Sequence, residues 1–264
     1  NLSKHDEKLT LKKRIRKWKY KNYFDFRIKS PENKFVIYTR GRTGSTVLTE
    51  LLNCHPEIFC DVEIFNFIYC GSRVKFPIPY IKSCSKRSEM YGKSVYGFKV
   101  KIAQLRVEHQ YSDYDRILSE LSKDGWKFIH LKRVNFLRHK LSSLIATETK
   151  IFHLRNGETG EQRKIHVDFD VIMEGITYGE EVERTEEENL KNIPHIKVIY
   201  ETDILDNTKH QETADRIFDY LGLNPHPVTT DLKRITVDRL QDMIINYEEI
   251  EKRLRGTRFE KYLF

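Results

Sequence analysis

The chain has no membrane-length apolar run, no paired cysteines, and no charge imbalance beyond its first thirty residues. Each absence excludes something. A membrane-spanning helix needs about 20 consecutive apolar residues, and no stretch approaches that. The four cysteines, Cys54, Cys60, Cys70 and Cys84, form no C-x-x-C pair and no Cys/His cluster of zinc-finger spacing. That argues against structural zinc. Together with a lone N-x-[ST] site at Asn1, it favours reduced thiols in a cytoplasmic setting. The net charge of +8 is local: residues 1–30 hold 11 Lys/Arg and 3 Asp/Glu, and the other 234 hold 36 of each sign. The body is therefore neutral and does not call for nucleic acid or another polyanion. The basic arm 1–30 spaces Leu9, Leu11, Ile15 and Trp18 among Lys and Arg. It reads either as a helix resting on the body or as an element for an anionic partner or membrane surface.

Residues 31–264 read as one α/β domain. Short apolar runs suited to strands lie at 34–39, 95–99, 127–131 and 196–200. Helical patterns fall between them, at 45–53, 101–110, 113–123, 134–153, 168–191 and 210–221. Such alternation implies βαβ units, a central parallel sheet and helices on both faces, a three-layer fold. The run 66–94 interrupts it with Gly71, Pro77, Pro79, Gly92 and many Ser and Lys. It reads as an irregular excursion on the acceptor side of a site, its aromatics Phe67, Tyr69, Phe76, Tyr80 and Tyr91 available for stacking. Residues 155–162 read as a hairpin or exposed turn, and 236–264 as a helix, a turn at Gly256 and an aromatic tail.

Residues 35–46, Phe-Val-Ile-Tyr-Thr-Arg-Gly-Arg-Thr-Gly-Ser-Thr, carry the most information. An apolar strand feeds a turn with Gly41 and Gly44, then the run 47–52 opens a helix. A strand, a glycine turn and a helix N-terminus make a cradle for an anion, with backbone N–H groups and the helix dipole facing it. A nucleoside-triphosphate loop would read G-x-x-x-x-G-K-[ST]. Here Ser45 follows Gly44, no Lys stands there, and the cations come earlier as Arg40 and Arg42. A second anion-binding set follows the strand at 127–131. Arg133 lies at its carboxyl end, where ligands of open parallel sheets bind. Arg138 and Ser142, four apart, share a face of the next helix. The same residues would also suit a surface arginine pair.

Thr39 to Thr46 resembles the 5′-phosphosulfate loop of sulfotransferases, P-[KR]-S-G-[ST]-[ST]. Arg42, Thr43, Gly44, Ser45 and Thr46 match it, and Gly41 stands where Pro is usual. Residues 131–142, Leu-Lys-Arg-Val-Asn-Phe-Leu-Arg-His-Lys-Leu-Ser, resemble the R-x-N-x-L-R-x-x-x-S form of bacterial enzymes of the trehalose-sulfotransferase type. Residues 54–66, 198–205 and 254–264 are similar to further family segments. The K-T-H-L-P histidine segment of the cytosolic animal enzymes is absent.

The resemblance implies a P-loop-type fold using 3′-phosphoadenosine-5′-phosphosulfate and releasing adenosine 3′,5′-bisphosphate, without a metal. It implies that Arg40, Gly41, Arg42, Thr43, Gly44, Ser45 and Thr46 hold the 5′-phosphosulfate. Arg133 and Ser142, or Ser143, would hold the 3′-phosphate, with Arg138 as an accessory and Gly256, Thr257 and Arg258 from the tail. Arg42 would also act on the leaving phosphate. The resemblance offers Glu63 as the base for the acceptor hydroxyl, with His55 as the alternative. The acceptor is expected to be a hydroxyl or an amine of a carbohydrate or a small natural product; oligomeric state stays open, a homodimer being one analogy with the family. Two readings compete with this one. A P-loop kinase of a small molecule would want a Lys after Gly44 and carboxylates for Mg²⁺. A non-catalytic anionic-ligand or nucleic-acid-binding protein would rely on the basic arm.

Overall fold

The computed structural model of the chain describes residues 29–157 and 164–264. The basic arm, but for its last two residues, lies outside them, as does most of the turn read at 155–162. Five strands form a parallel sheet: β1 (Asn33–Thr39), β2 (Ile58–Glu63), β3 (Val95–Lys101), β4 (Lys127–Lys132) and β6 (His195–Ile199). Their order is β2-β3-β1-β4-β6, so the strand leading into the glycine turn is central. A short antiparallel ribbon joins β5 (Leu154–Arg155) to β7 (Leu232–Lys233).

The strands are apolar on both sides because both sides are covered. Along β1, Phe35 and Ile37 face one layer and Val36 and Tyr38 the other, all fully buried. The first layer holds α1 (Ser45–Asn53) and α8 (His210–Leu221), with Leu48, Leu52, Ile217 and Phe218 against the sheet. The second holds α2 (Phe67–Cys70), α3 (Pro77–Ser85), α4 (Arg87–Met90) and α5 (Tyr114–Lys123), and also receives Val182 and Leu190 of α7 (Phe169–Leu190). A third cluster joins α6 (Phe136–Thr149), α7 and α9 (Tyr247–Leu254) to the C-terminal tail through Phe136, Leu141, Ile176, Ile250 and Leu263. This is the expected three-layer α/β fold.

The run 66–94 differs from its reading. It is not an open excursion but three short helices, with Tyr80, Ile81 and Cys84 wholly buried in the second layer. Pro77 is the first residue of α3, where its missing N–H costs nothing, so this proline starts a helix. The Tyr80 hydroxyl donates to the Ile64 carbonyl at 2.8 Å, which joins the run to the end of β2. Strand β2 itself carries no clear signal, since Asp61 and Glu63 interrupt its apolar run. The helix expected at 101–110 is a π-helical turn, Gln104–Glu108.

Candidate active site

The site forms at the carboxyl edge of the sheet, where β1, β3, β4 and β6 end in Thr39, Lys101, Lys132 and Ile199. Between β1 and α1 the loop is tied down from within. Thr39 Oγ1 donates to the Leu131 carbonyl at 2.7 Å and lies 2.6 Å from Thr43 Oγ1, and Thr43 Oγ1 donates to the Arg40 carbonyl at 2.9 Å. Gly44 is the N-cap of α1, with φ 77° and no side chain capping the helix. A Cβ at Gly44 would stand 2.7 Å from Ile204 Cγ2 and 2.9 Å from Tyr200 Cδ2, so only glycine fits. The first amides of α1 precede its first helical bond, from Leu48 N to Gly44 O, and open on a cavity lined by Ser45, Thr46 and Val47. An uncapped helix N-terminus of this kind favours an anion.

The cavity has a volume of about 400 Å³ and is also lined by Arg42, Arg133, Ser142, Tyr200 and Arg234. Arg42 takes a left-handed backbone, φ 62°. Its Nε donates to Ser142 Oγ at 3.2 Å and its Nη1 to the Phe152 carbonyl at 2.7 Å. Arg133 Nη1 donates to the Arg42 carbonyl at 3.1 Å, and its guanidinium lies over the Tyr200 ring, 4.4 Å from the centroid. Arg42, Arg133 and Ser142, distant in sequence, therefore meet. Ser142 is buried and faces the cavity, whereas Ser143 is exposed.

A second cavity, about 570 Å³, shares Arg133, Tyr200, Leu205 and Arg234 with the first and adds Arg138, Lys261, Tyr262 and Phe264. Burial pushes the Arg133 guanidinium down to about 10, with Arg234 and Arg42 adding repulsion. Burial and then Arg234 also lower Arg138. Arg133 Nε is buried and makes no hydrogen bond with the described residues, with Glu201 Oε1 3.7 Å away. A crowd of like charges with an unsatisfied donor is a site arranged for an anion. Both cavities lie in the size range of small-molecule sites, roughly 300–1,000 Å³.

Several sequence candidates lie elsewhere. Arg40 points inward, pairing with Glu186 at 3.2 Å and donating to the Gly179 carbonyl at 2.9 Å. Gly41 lies beside Lys101, and its carbonyl accepts from His139 Nε2 at 2.6 Å. His55 is buried against Phe218 and His226, with Nε2 on the Asn224 carbonyl and Nδ1 accepting from Glu57 N. It faces neither cavity. Gly256, Thr257 and Arg258 are also absent from both cavity walls. The turn at Gly256, φ 71°, sends the chain back past α9, and Arg258 pairs with Glu180 at 2.9 Å. Lys261, Tyr262 and Phe264 of the same tail reach the second cavity instead.

Glu63 lies at the end of β2, on the other side of the loop from Arg133. Its carboxylate accepts from Gln104 Nε2 at 2.9 Å and pairs with Lys101 at 2.9 Å and Lys99 at 3.9 Å. Buried Lys99 in turn donates to Thr46 Oγ1 at 3.2 Å, which links Glu63 to the N-terminus of α1. Sequence reading missed Lys99, His153, Tyr200 and Arg234. Tyr200 was within reach as the aromatic before Glu201 at a strand end. Arg234 sits in a connection with no periodicity to mark it.

Among the described residues no three His, Cys, Asp or Glu side chains are grouped so as to hold a metal ion, and no helix is long and apolar enough to cross a membrane. No family model matches the chain, and no curated protein does. The chain is similar to the solved structure of mouse sulfotransferase SULT7A1 complexed with PAP, at 15% identity and TM-score 0.40, over 80% of this chain and 65% of that one. It is similar to the sulfotransferase domain of the Synechococcus PCC 7002 olefin synthase at 16% identity and TM-score 0.40, over 74% and 75% of the two chains. A third likeness is to retinol dehydratase in a complex with retinol and PAP, at 12% identity and TM-score 0.36, over 78% of this chain and 65% of that one. The chain thus spans less than two thirds of the length of the mouse sulfotransferase.

Proposed function

We propose that the protein is a sulfotransferase, moving the sulfuryl group of 3′-phosphoadenosine-5′-phosphosulfate to an acceptor hydroxyl. The observation that carries this reading is the convergence of Arg42, Arg133 and Ser142 with the uncapped N-terminus of α1 on one cavity. Two anion subsites follow. Arg42 and the amides of Ser45 and Thr46 would hold the 5′-phosphosulfate. Arg133 and Ser142, with Arg234 beside them, would hold the 3′-phosphate. Tyr200, Ile204 and Leu205 offer the apolar wall that a purine needs. The residues fit the donor: an orphaned buried Arg133 Nε and a repelling arginine cluster both gain from a bound phosphate.

Sulfuryl transfer is a displacement in which charge grows on the leaving phosphate, so positioning and preorganised donors supply most of the rate. Arg42 is placed to meet that charge. Losing such a donor should cost about 10²–10³ in rate. The kinase reading has less support. No Lys follows Gly44, and the strands that end over the cleft, β1, β3, β4 and β6, end without a carboxylate. Glu63 stands beside the cleft as a carboxylate candidate for the acceptor's proton, held by Lys99 and Lys101. A carbohydrate or small natural product as acceptor, a cytoplasmic setting and independence of metal complete the proposal.

Isothermal titration tests it. Adenosine 3′,5′-bisphosphate should bind without metal and more tightly than ATP–Mg²⁺. Arg133→Ala or Ser142→Ala should weaken the bisphosphate by about 1.5–3 kcal/mol, the span for a hydrogen bond to a charged group. Equal affinity for a nucleotide lacking the 3′-phosphate would refute the assignment.

A further inference from the structure

We infer that His153, on the segment between α6 and β5, is the base that takes the acceptor's proton, and that Glu63 serves to hold Lys99 and Lys101. This rests on the sulfuryl-transfer reading and deepens it. His153 lines the first cavity together with Arg42 and Thr46, whereas Glu63 is not part of its wall. Arg42 fixes the neighbouring residue by donating to the Phe152 carbonyl at 2.7 Å, which sets His153 at the rim beside the anion loop. Glu63 Oε2 accepts from Gln104 Nε2 and pairs with Lys101, both at 2.9 Å, and Oε1 lies 3.9 Å from Lys99 Nζ, so the carboxylate is anchored among the lysines, off the cavity wall. The His153 ring makes no hydrogen bond with the described residues and keeps a nitrogen for the incoming hydroxyl.

The surroundings keep that nitrogen unprotonated. Arg42 of the loop, Lys99 of β3 and Arg155 of β5 act on it, against the carboxylate of Glu50 on α1, and Asp206, His210 and Lys233 line the same cavity. Burial first, and then those cations, lower its pKa from the ordinary histidine value. A neutral imidazole near pH 7 is the form that accepts a proton. As the acceptor oxygen bonds to sulfur, the bond from sulfur to the 5′-phosphate oxygen breaks and its electron pair stays on that phosphate. The acceptor's proton goes to the His153 nitrogen and from there to solvent, since the ring is exposed at its outer edge.

The test uses the full chain and release of adenosine 3′,5′-bisphosphate from 3′-phosphoadenosine-5′-phosphosulfate, with water and with an aliphatic alcohol, ethanol, as acceptors. His153→Ala should lower turnover about 10²–10⁴-fold, the usual span for loss of a general base. Affinity for the bisphosphate should stay within about twofold, and added imidazole should restore part of the rate, which a purely structural role would not allow. The acid limb of the wild-type pH–rate profile should match the His153 ring titration seen by NMR, below the ordinary value of about 6.5. Glu63→Gln should keep that limb and gain nothing from imidazole. Wild-type turnover in His153→Ala would overturn the inference, as would an acid limb that vanishes in Glu63→Gln but persists in His153→Ala. If the wild-type protein does not bind the bisphosphate at all, the sulfotransferase reading itself fails.

Discussion

Arg40 and Arg42 are separated only by Gly41 in the sequence and have unrelated surroundings. The first is buried with Glu186 and the carbonyl of Gly179; the second faces the cavity. The split shows only in their partners, Glu186 and Gly179 for the one and Ser142 and Phe152 for the other, which a string of letters does not display. His139 is a similar case. Its Nε2–H holds the Gly41 carbonyl, and burial pushes its pKa down to about 4. The folded state therefore binds this proton less well than the unfolded chain, whose histidine titrates near 6.5. Stability should be full above about pH 6.5 and fall as pH drops toward 4. Urea midpoints at pH 7 and pH 5 would show this, and His139→Gln should flatten the difference while keeping a donor for Gly41. A Gln variant as acid-sensitive as the wild type would remove His139 from the account. At this scale the sequence yielded Arg42, Arg133 and Ser142, since each sits at a fixed offset from a strand end. It did not yield Arg234 or Lys99, whose side chains enter through tertiary packing alone.

At the scale of elements, two connections set the shape of the cleft. Glu201, just beyond β6, accepts from the amides of Val134 and Asn135 at 3.1 and 3.0 Å and so fixes the turn that carries Arg133. Asn135 caps α6 by accepting from Arg138 N, and its Nδ2 donates to the carbonyls of Tyr262 and Phe264, which docks the C-terminal tail against the site. The ribbon β5·β7 spans the other side, and Glu50 of α1 holds one end of it, through Arg155 of β5 at 2.6 Å and Thr230, just before β7, at 2.6 Å. Arg234 follows this ribbon and bonds within its own segment, to Thr236 Oγ1 and the Val237 carbonyl. If it also grips phosphate, Arg234→Ala should weaken adenosine 3′,5′-bisphosphate about ten- to a hundredfold, the equivalent of a charged hydrogen bond. Unchanged affinity by titration would leave it a role in holding the segment only. The strands and long helices were legible as periodic runs. β2, the ribbon and the helices of 66–94 were not. Their residues are set by long-range partners, as with Tyr80 on Ile64, and α3 begins at a proline that reads as a break.

For the molecule as a whole, the order β2-β3-β1-β4-β6 places the anion loop on the central strand, with lysines of β2's neighbour on one flank and the arginines beyond β4 on the other. A ligand filling both cavities would touch the core on the α1 side of the sheet, through Val47, Tyr200 and Ile204, and the third cluster, through Phe136 and Tyr262. Binding to the folded state alone raises stability by about 2.7 kcal/mol at a hundredfold excess over Kd. Adenosine 3′,5′-bisphosphate should therefore raise the melting temperature by several degrees, with EDTA present, and 5′-AMP should do so much less. An EDTA-sensitive shift would contradict metal-free binding.

The backbone of Arg42, at φ 62°, has one further consequence. A side chain other than glycine pays for that conformation, by about 1–2 kcal/mol. Arg42→Ala discards the guanidinium but keeps the strain, whereas Arg42→Gly discards both. The glycine variant should therefore be the more stable of the two, and their difference in unfolding free energy measures what the loop stores. Against Arg42 itself the glycine variant gives up the bonds to Ser142 Oγ and the Phe152 carbonyl, so the loop trades backbone ease for a guanidinium held at the cavity.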